Sequence, residues 1–185
     1  MKRRVSLRVM LAAVAVLAVG LAWWVNSARR QRAAVAAVQK GGGGVAYAHQ
    51  FVNGDPRVPD PNGRPPIPDW LRTKLGDDFF SDVIVVGFTD RGPSQEALRQ
   101  LRSFGGLRSL YIADPAFGDV EARHLHGLSQ LEELYLGSTR IGDASIPVLE
   151  ELGGLKELNI GGTRISNDGM VRLQRSLPGT RITHY

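Results

Sequence analysis

The stretch LEELYLGSTRIGDASIPVLEEL, Leu131–Leu152, is followed almost at once by LKELNIGGTRISNDGMVRLQRSL, Leu155–Leu177, and the two read nearly alike. Aligning them sets a period of 24 residues. Leu107, Leu131 and Leu155 fall in one column, Leu110, Leu134 and Leu158 in the next, and Ile112, Leu136 and Ile160 in a third. One step back lie Val83, Val86 and Phe88, and one step forward lies Ile182. Later columns hold Phe117, Ile141 and Ile165, then Asp119, Asp143 and Asp168, then Leu101, Leu125, Leu149 and Leu173, with one extra residue near Asn167 in the last copy. A unit this short cannot bury its apolar face alone, so neighbouring units must stack. The spacing L-x-x-L-x-L predicts a short strand whose leucines point inward. The aspartate that follows is expected to open a helix of about two turns, as in DASIPVLEEL, with Asp143 as N-cap and Ile146 and Leu149 inward. Thr139 and Thr163 are expected to bond to backbone in the turn after the strand.

On these residues the chain resembles the leucine-rich repeat family. LEELYLGSTRIGD and LKELNIGGTRISNDGM look like the subclass L-x-x-L-x-L-x-x-T-x-I-x-D-x-G-L-x-x-L, common in bacterial proteins with an N-terminal membrane anchor. The likeness covers about residues 83–185 and is tightest in the third and fourth copies. The second copy has Asp114 and Pro115 where the threonine region belongs, and the first keeps little beyond its strand apolars and a helical tail. The resemblance implies an α/β fold: a short right-handed solenoid with parallel strands on a concave side and short helices on the outer side. It also implies an interaction module rather than a catalyst.

The variable positions of the strands are then the ones that can carry information. The second strand position holds Ile84, Arg108, Glu132 and Lys156, the third Val85, Ser109, Glu133 and Glu157, and the fifth Gly87, Tyr111, Tyr135 and Asn159. Strands ~4.8 Å apart would turn these into ladders. Aromatic residues beside charges are typical of protein-binding surfaces, and cross-strand pairs in solvent are the plain alternative. The candidate partner-binding set is Arg108, Tyr111, Glu133, Tyr135, Glu157 and Asn159.

The N-terminus carries a different signal. VMLAAVAVLAVGLAWWV, Val9–Val25, has no charge, and counting from Val5 across Arg8 extends the run to 21 residues. That suits a ~30 Å hydrocarbon core, with Trp23 and Trp24 at an interface. A cleaved signal peptide is the alternative, but the residues that follow, NSARRQR, make a poor cleavage site. We therefore expect a basic tail at 1–8 and an uncleaved span at 9–25, with Val9, Trp23, Trp24 and Val25 in or at the membrane. A very short basic tail favours an external domain, whereas Arg29, Arg30 and Arg32 argue the other way. Residues 26–44 read as a juxtamembrane helical stalk, rich in Ala, Arg and Gln, ended by a flexible linker of four glycines.

Residues 45–82 join this stalk to the repeats. VAYAHQFV reads as a strand, and NGDPRVPDPNGRPPIPDW, with six prolines, as a solvated connector. DWLRTKL reads as a short helix N-capped by Asp69 and stopped by Gly76, with Trp70, Leu71 and Leu75 as its apolar face and the first repeat beneath it.

Composition narrows the partner classes. The net charge of +5 suggests nucleic acid, but residues 1–40 hold eight cations and no acid, and the remaining 15 cations meet all 18 acids. A domain of that sign lacks the footprint that phosphate requires, so no nucleic acid is expected. Absence of cysteine excludes disulfides and thiolate metal sites. His124 and His126 face apart on a helix, no sequence motif links His49 or His184 to an acid or nucleophile, and no phosphate loop, nucleophile elbow or zinc helix occurs. The expectation is a non-catalytic membrane protein with no cofactor and no metal, binding a protein of unknown identity. A structural spacer or envelope component, or a secreted effector if the N-terminus is cleaved, are the alternatives.

Overall fold

The computed structural model describes residues 7–65, 67–88 and 92–184. Lys2, Arg3 and Arg4 of the basic tail lie outside them. The chain is α/β, with six strands in one sheet in sequence order. These are β1 (Gly43–Tyr47), β2 (Val83–Phe88), β3 (Ser109–Ile112), β4 (Glu133–Tyr135), β5 (Glu157–Asn159) and β6 (Arg181–Thr183). The first pair is antiparallel and every later pair parallel. Helices α1 (Leu7–Lys40), α2 (Asp69–Leu75), α3 (Gln95–Gln100), α4 (Asp119–Ala122), α5 (Ile146–Glu150) and α6 (Asn167–Ser176) complete the order.

The parallel register follows the leucine columns. Val86, Leu110, Leu134, Leu158 and Ile182 stand opposite one another across five strands. The first four are fully buried, as are Leu101, Leu125, Leu149 and Leu173 from the helical side. Strand and helix side chains thus meet in one continuous core. Polar groups lock neighbouring segments together. Thr139 Oγ1 donates to the Leu136 carbonyl at 2.7 Å and Thr163 Oγ1 to Ile160 at 2.8 Å, as the sequence leads one to expect. Ser138 and Gly162, equivalent positions of that turn, both take positive φ, 62° and 70°.

The aspartates act differently from expectation. Asp143 opens a 3-10 turn, Asp143–Ser145, ahead of α5, but it is not the N-cap; Gly142 is. Its Oδ1 instead accepts the Ser166 N–H of the next segment at 2.9 Å. Asp119 does the same one step earlier, accepting Gly142 N–H at 2.7 Å and Ser145 Oγ–H at 2.5 Å. Each carboxylate accepts from donors of the next segment rather than from its own turn.

Helix α1 is one unbroken element of 34 residues, ~51 Å long at 1.5 Å per residue. Its first part is long and apolar enough to cross a membrane, and that window is wholly exposed. Its last part corrects the picture of a free stalk. Ala28, Gln31, Ala34, Val35 and Val38 recur at helical spacing and are buried. They pack beside α3 and β1, so α1 and β1 extend both the helical layer and the sheet by one element. Buried Gln31 donates to the carbonyls of Ser81 at 2.8 Å and Asp78 at 3.3 Å, and accepts Val83 N–H at 3.4 Å. The glycines are not a free linker either. Gly43 and Gly44 begin β1, and a Cβ on Gly43 would lie 2.6 Å from the Phe88 ring and 2.8 Å from Val38. Only a glycine lets the strand approach so closely.

Helix α2 is another correction. Pro68, not Asp69, is its N-cap, none of its residues is buried, and Trp70 is 62% exposed, so it is no lid over the strands. Gly76, at φ 84°, ends it as expected.

Two outcomes follow from this packing. Val38→Asp lowers the domain's melting midpoint in detergent, whereas Val16→Asp, on the exposed part of the same helix, leaves it unchanged; thermal melts followed by circular dichroism compare them. The Ser166 N–H and hydroxyl hold the Asp143 carboxyl below the usual carboxylate range. Its folded-state value is thus lower than the unfolded one, so its stabilisation is full above about pH 4 and fades as pH falls through the folded value. Asp143→Ala therefore melts below wild type at neutral pH, and the gap narrows in acid.

Candidate functional site

Strand residues that alternate with the buried leucines form two ladders on the opposite face of the sheet. One runs Val85, Ser109, Glu133, Glu157, Arg181, and the other Gly87, Tyr111, Tyr135, Asn159, Thr183. Tyr111 and Tyr135 stack face to face, with centroids 4.5 Å apart and planes 12° from parallel. Both are half-buried. Burial and the Glu133 carboxylate push the Tyr111 hydroxyl well above its ordinary value. Burial, then Glu157 and Glu133, do the same for Tyr135. Both phenols therefore stay protonated at neutral pH and act as donors.

Glu133 does not stand open on this face, as a contact residue would. It is 4% exposed. Its Oε2 accepts Ser109 Oγ–H at 2.7 Å and Tyr111 O–H at 3.1 Å, and its Oε1 lies 3.6 Å from Arg57 Nε. A buried carboxylate requires such partners. Its role is to hold the face together.

Arg57 comes from the proline-rich connector, which is not a solvated linker. The connector folds on itself through Val52 N–H to Val58 C=O at 2.9 Å and Asp60 N–H to Gln50 C=O at 2.8 Å. It then lies against the strands. Arg108 Nη1 donates to the Gly54 carbonyl at 3.1 Å, and Arg57, forked onto Asp55 at 3.0 and 3.1 Å, reaches Glu133. Ile84, expected on the open face, is 4% exposed. Arg108 is thus engaged with the chain itself.

The other end of the face is more open. Glu157 and Asn159 are half-exposed, and Lys156 and Arg181 are exposed. Asn159 Oδ1 accepts Gly161 N–H at 3.0 Å, and Lys156 Nζ pairs with Glu132 at 2.7 Å. Of the candidate contact residues, the structure brings Tyr111, Glu133, Tyr135, Glu157 and Asn159 onto one face, with Arg108 at its connector side. Arg57, Asp55 and Gly54 were not foreseen, because nothing in their local sequence says which distant strand they meet. The candidate membrane residues mark the two ends of the apolar part of α1. Val9 and Trp23 are exposed at 59% and 73%, Val25 is half-buried, and Trp24 packs on the domain.

Among the described residues no three His, Asp or Glu side chains are grouped to hold a metal ion. His126 pairs with Glu151 at the exposed surface, away from the tyrosine ladder. The strand face carries stacked rings, hydrogen-bond donors and mixed charges. No protein-family model and no curated protein matches the chain.

Glu133→Ala should cost about 2–3 kcal/mol, since it removes hydrogen bonds to a charged group and strands Ser109. It should also release the connector. Denaturant melts give the first effect. Faster tryptic cleavage after Arg57 gives the second, and an unchanged cleavage rate would mean that the connector is held by other contacts.

Proposed function

We propose that the chain is a single-span membrane protein whose residues 83–185 form a leucine-rich-repeat solenoid, and whose strand face binds a protein partner without catalysis. The family reading is supported by parallel strands paired at a constant 24-residue offset with leucines inward, and by threonines and aspartates whose bonds recur at the same offset. The span reading is supported by the length and exposure of the apolar part of α1. We further propose that the domain lies on the extracytoplasmic side, on the strength of the cations Lys2, Arg3, Arg4 and Arg8 that precede the span.

The observation that carries the binding reading is the stacked Tyr111–Tyr135 pair. Two aromatic rings are held rigid and half-exposed beside Glu157, Asn159 and Arg181. Rigid aromatics lose little entropy on binding and are over-represented at binding hot spots. The connector engages Arg108 and Glu133, so the face left for a partner runs from the tyrosines to β6.

Replacing both tyrosines with serine should abolish capture of the partner by crosslinking in membranes while the domain stays folded, with a melting midpoint lowered by the loss of the Tyr111–Glu133 bond. The rings alternate with buried Leu110, Ile112, Leu134 and Leu136, so their loss opens no cavity. Two central aromatics worth ~2 kcal/mol each would weaken a complex by about a thousandfold. Leu134→Ala is the contrasting control, costing about 2–5 kcal/mol of stability. A double variant that stays folded and keeps every crosslinked partner would remove the tyrosines from the site and favour a spacer without a ligand.

A further inference from the structure

Where α1 changes from exposed to packed, three aromatic rings meet. The Trp24 ring lies 5.6 Å from Phe79, edge on, and 6.0 Å from Phe80, and the two phenylalanines are 6.4 Å apart. None is buried: Trp24 is 38% exposed, its neighbour Trp23 73%, and both phenylalanines are partly open. An aromatic cluster left open at the root of an apolar helix is a feature that water does not reward. Phe79 ends a 3-10 turn, Asp77–Phe79, that is tied to α1 by Gln31.

We propose that Phe79 and Phe80 form a second membrane contact, lying beside Trp24 in the boundary between lipid head groups and acyl chains. This rests on the reading of α1 as a membrane span. The apolar run Val9–Val25 is about 26 Å long as a helix, close to the thickness of the hydrocarbon core. The indoles at its end then sit at the interface. A ring centred 5.6 or 6.0 Å from Trp24 can differ from it in depth by no more than that distance, and the interfacial layer is itself about 5–7 Å deep on each side. The depth is not adjustable, because α1 runs unbroken to Lys40 and Gln31 fixes the Asp78–Val83 segment against it.

The charges nearby agree with this placement. Arg29, Arg30 and Arg32 are exposed one to two turns beyond Trp24, at the level of the head groups, where cations are attracted to anionic lipid. Of the acids beside the phenylalanines, Asp77 and Asp78 are engaged within the protein, while Asp82, on the same cavity, is exposed. Asp77 takes a forked pair from Arg72 at 2.6 and 3.2 Å, and Asp78 accepts Tyr47 O–H at 2.9 Å. The bilayer surface is therefore the occupant that both the apolar and the basic groups fit, and the contact would hold the domain at one orientation to the membrane.

The chain has no cysteine, so single spin labels can be placed cleanly in the full-length protein. Phe80→Cys, Phe79→Cys, Val16→Cys in the apolar helix and Gln174→Cys on exposed α6 are labelled and reconstituted in phosphatidylcholine–phosphatidylglycerol vesicles. Relaxation by oxygen, which enters lipid, is compared with relaxation by a water-soluble nickel chelate. The expected order of oxygen-to-chelate ratio is 16 highest, 79 and 80 several-fold above 174, and 174 lowest. Labels at 79 and 80 that both match 174 while 16 stays lipid-like would overturn the contact and leave the span intact. An aqueous reading at 16 would overturn the span, and the contact with it. Two adjacent positions guard against local damage from either substitution, and a melt in detergent checks that each variant is folded.

Discussion

The burial of one face of α1 is the contact on which the other features depend. Ala34, Val35 and Val38 supply apolar surface, each buried valine contributing about 1.5–3 kcal/mol, and Gln31 supplies the polar lock to the Asp78–Val83 segment. A stack of parallel strands has an open end that would expose its core to water. Here α1 and β1 close that end, with Gly43 allowing β1 to lie flat on Phe88. Before Trp24 the same helix is exposed and apolar. One element thus ends the domain's core and continues into the region that can enter a bilayer.

A second constraint organises the strand face. Glu133 is a buried carboxylate, and its neighbours are arranged around its need for partners: Ser109 and Tyr111 from β3 and Arg57 from the connector. Satisfying it fixes the Tyr111 ring, and the stacked Tyr135 follows. The face is therefore divided. The chain's own connector holds Arg108 and Glu133, and from the Tyr111–Tyr135 stack to β6 the face presents an acid, an amide and two cations.

The α/β character, the inward leucine columns, the parallel register and the threonine bonds were all legible in the sequence, because each is a local pattern repeated at a fixed interval. Periodicity reports which side of a strand or helix is apolar. It does not report which distant segment covers that side. Ala28, Ala34, Val35 and Val38 looked like mere helix formers because alanine and valine carry a weak pattern next to arginines. Glu133 looked like any strand charge, since its partners Tyr111, Ser109 and Arg57 stand 22, 24 and 76 residues away in the chain. The proline-rich connector read as solvated because proline removes ladder donors, yet carbonyls such as that of Gly54 still accept a bond from Arg108. Asp143 looked like a helix cap because the donor it serves, Ser166 N–H, belongs to the next segment.

The central claim is that the apolar helix and the strand domain are one rigid body, with no hinge at Gly41–Gly44. Pulsed electron paramagnetic resonance on the cysteine-free chain tests it directly, with one spin label at Ala18→Cys on the exposed part of α1 and the other at Arg175→Cys on α6. The account predicts one narrow distance distribution in detergent micelles that stays narrow in vesicles. A broad distribution, as a flexible glycine tether would give, would contradict it.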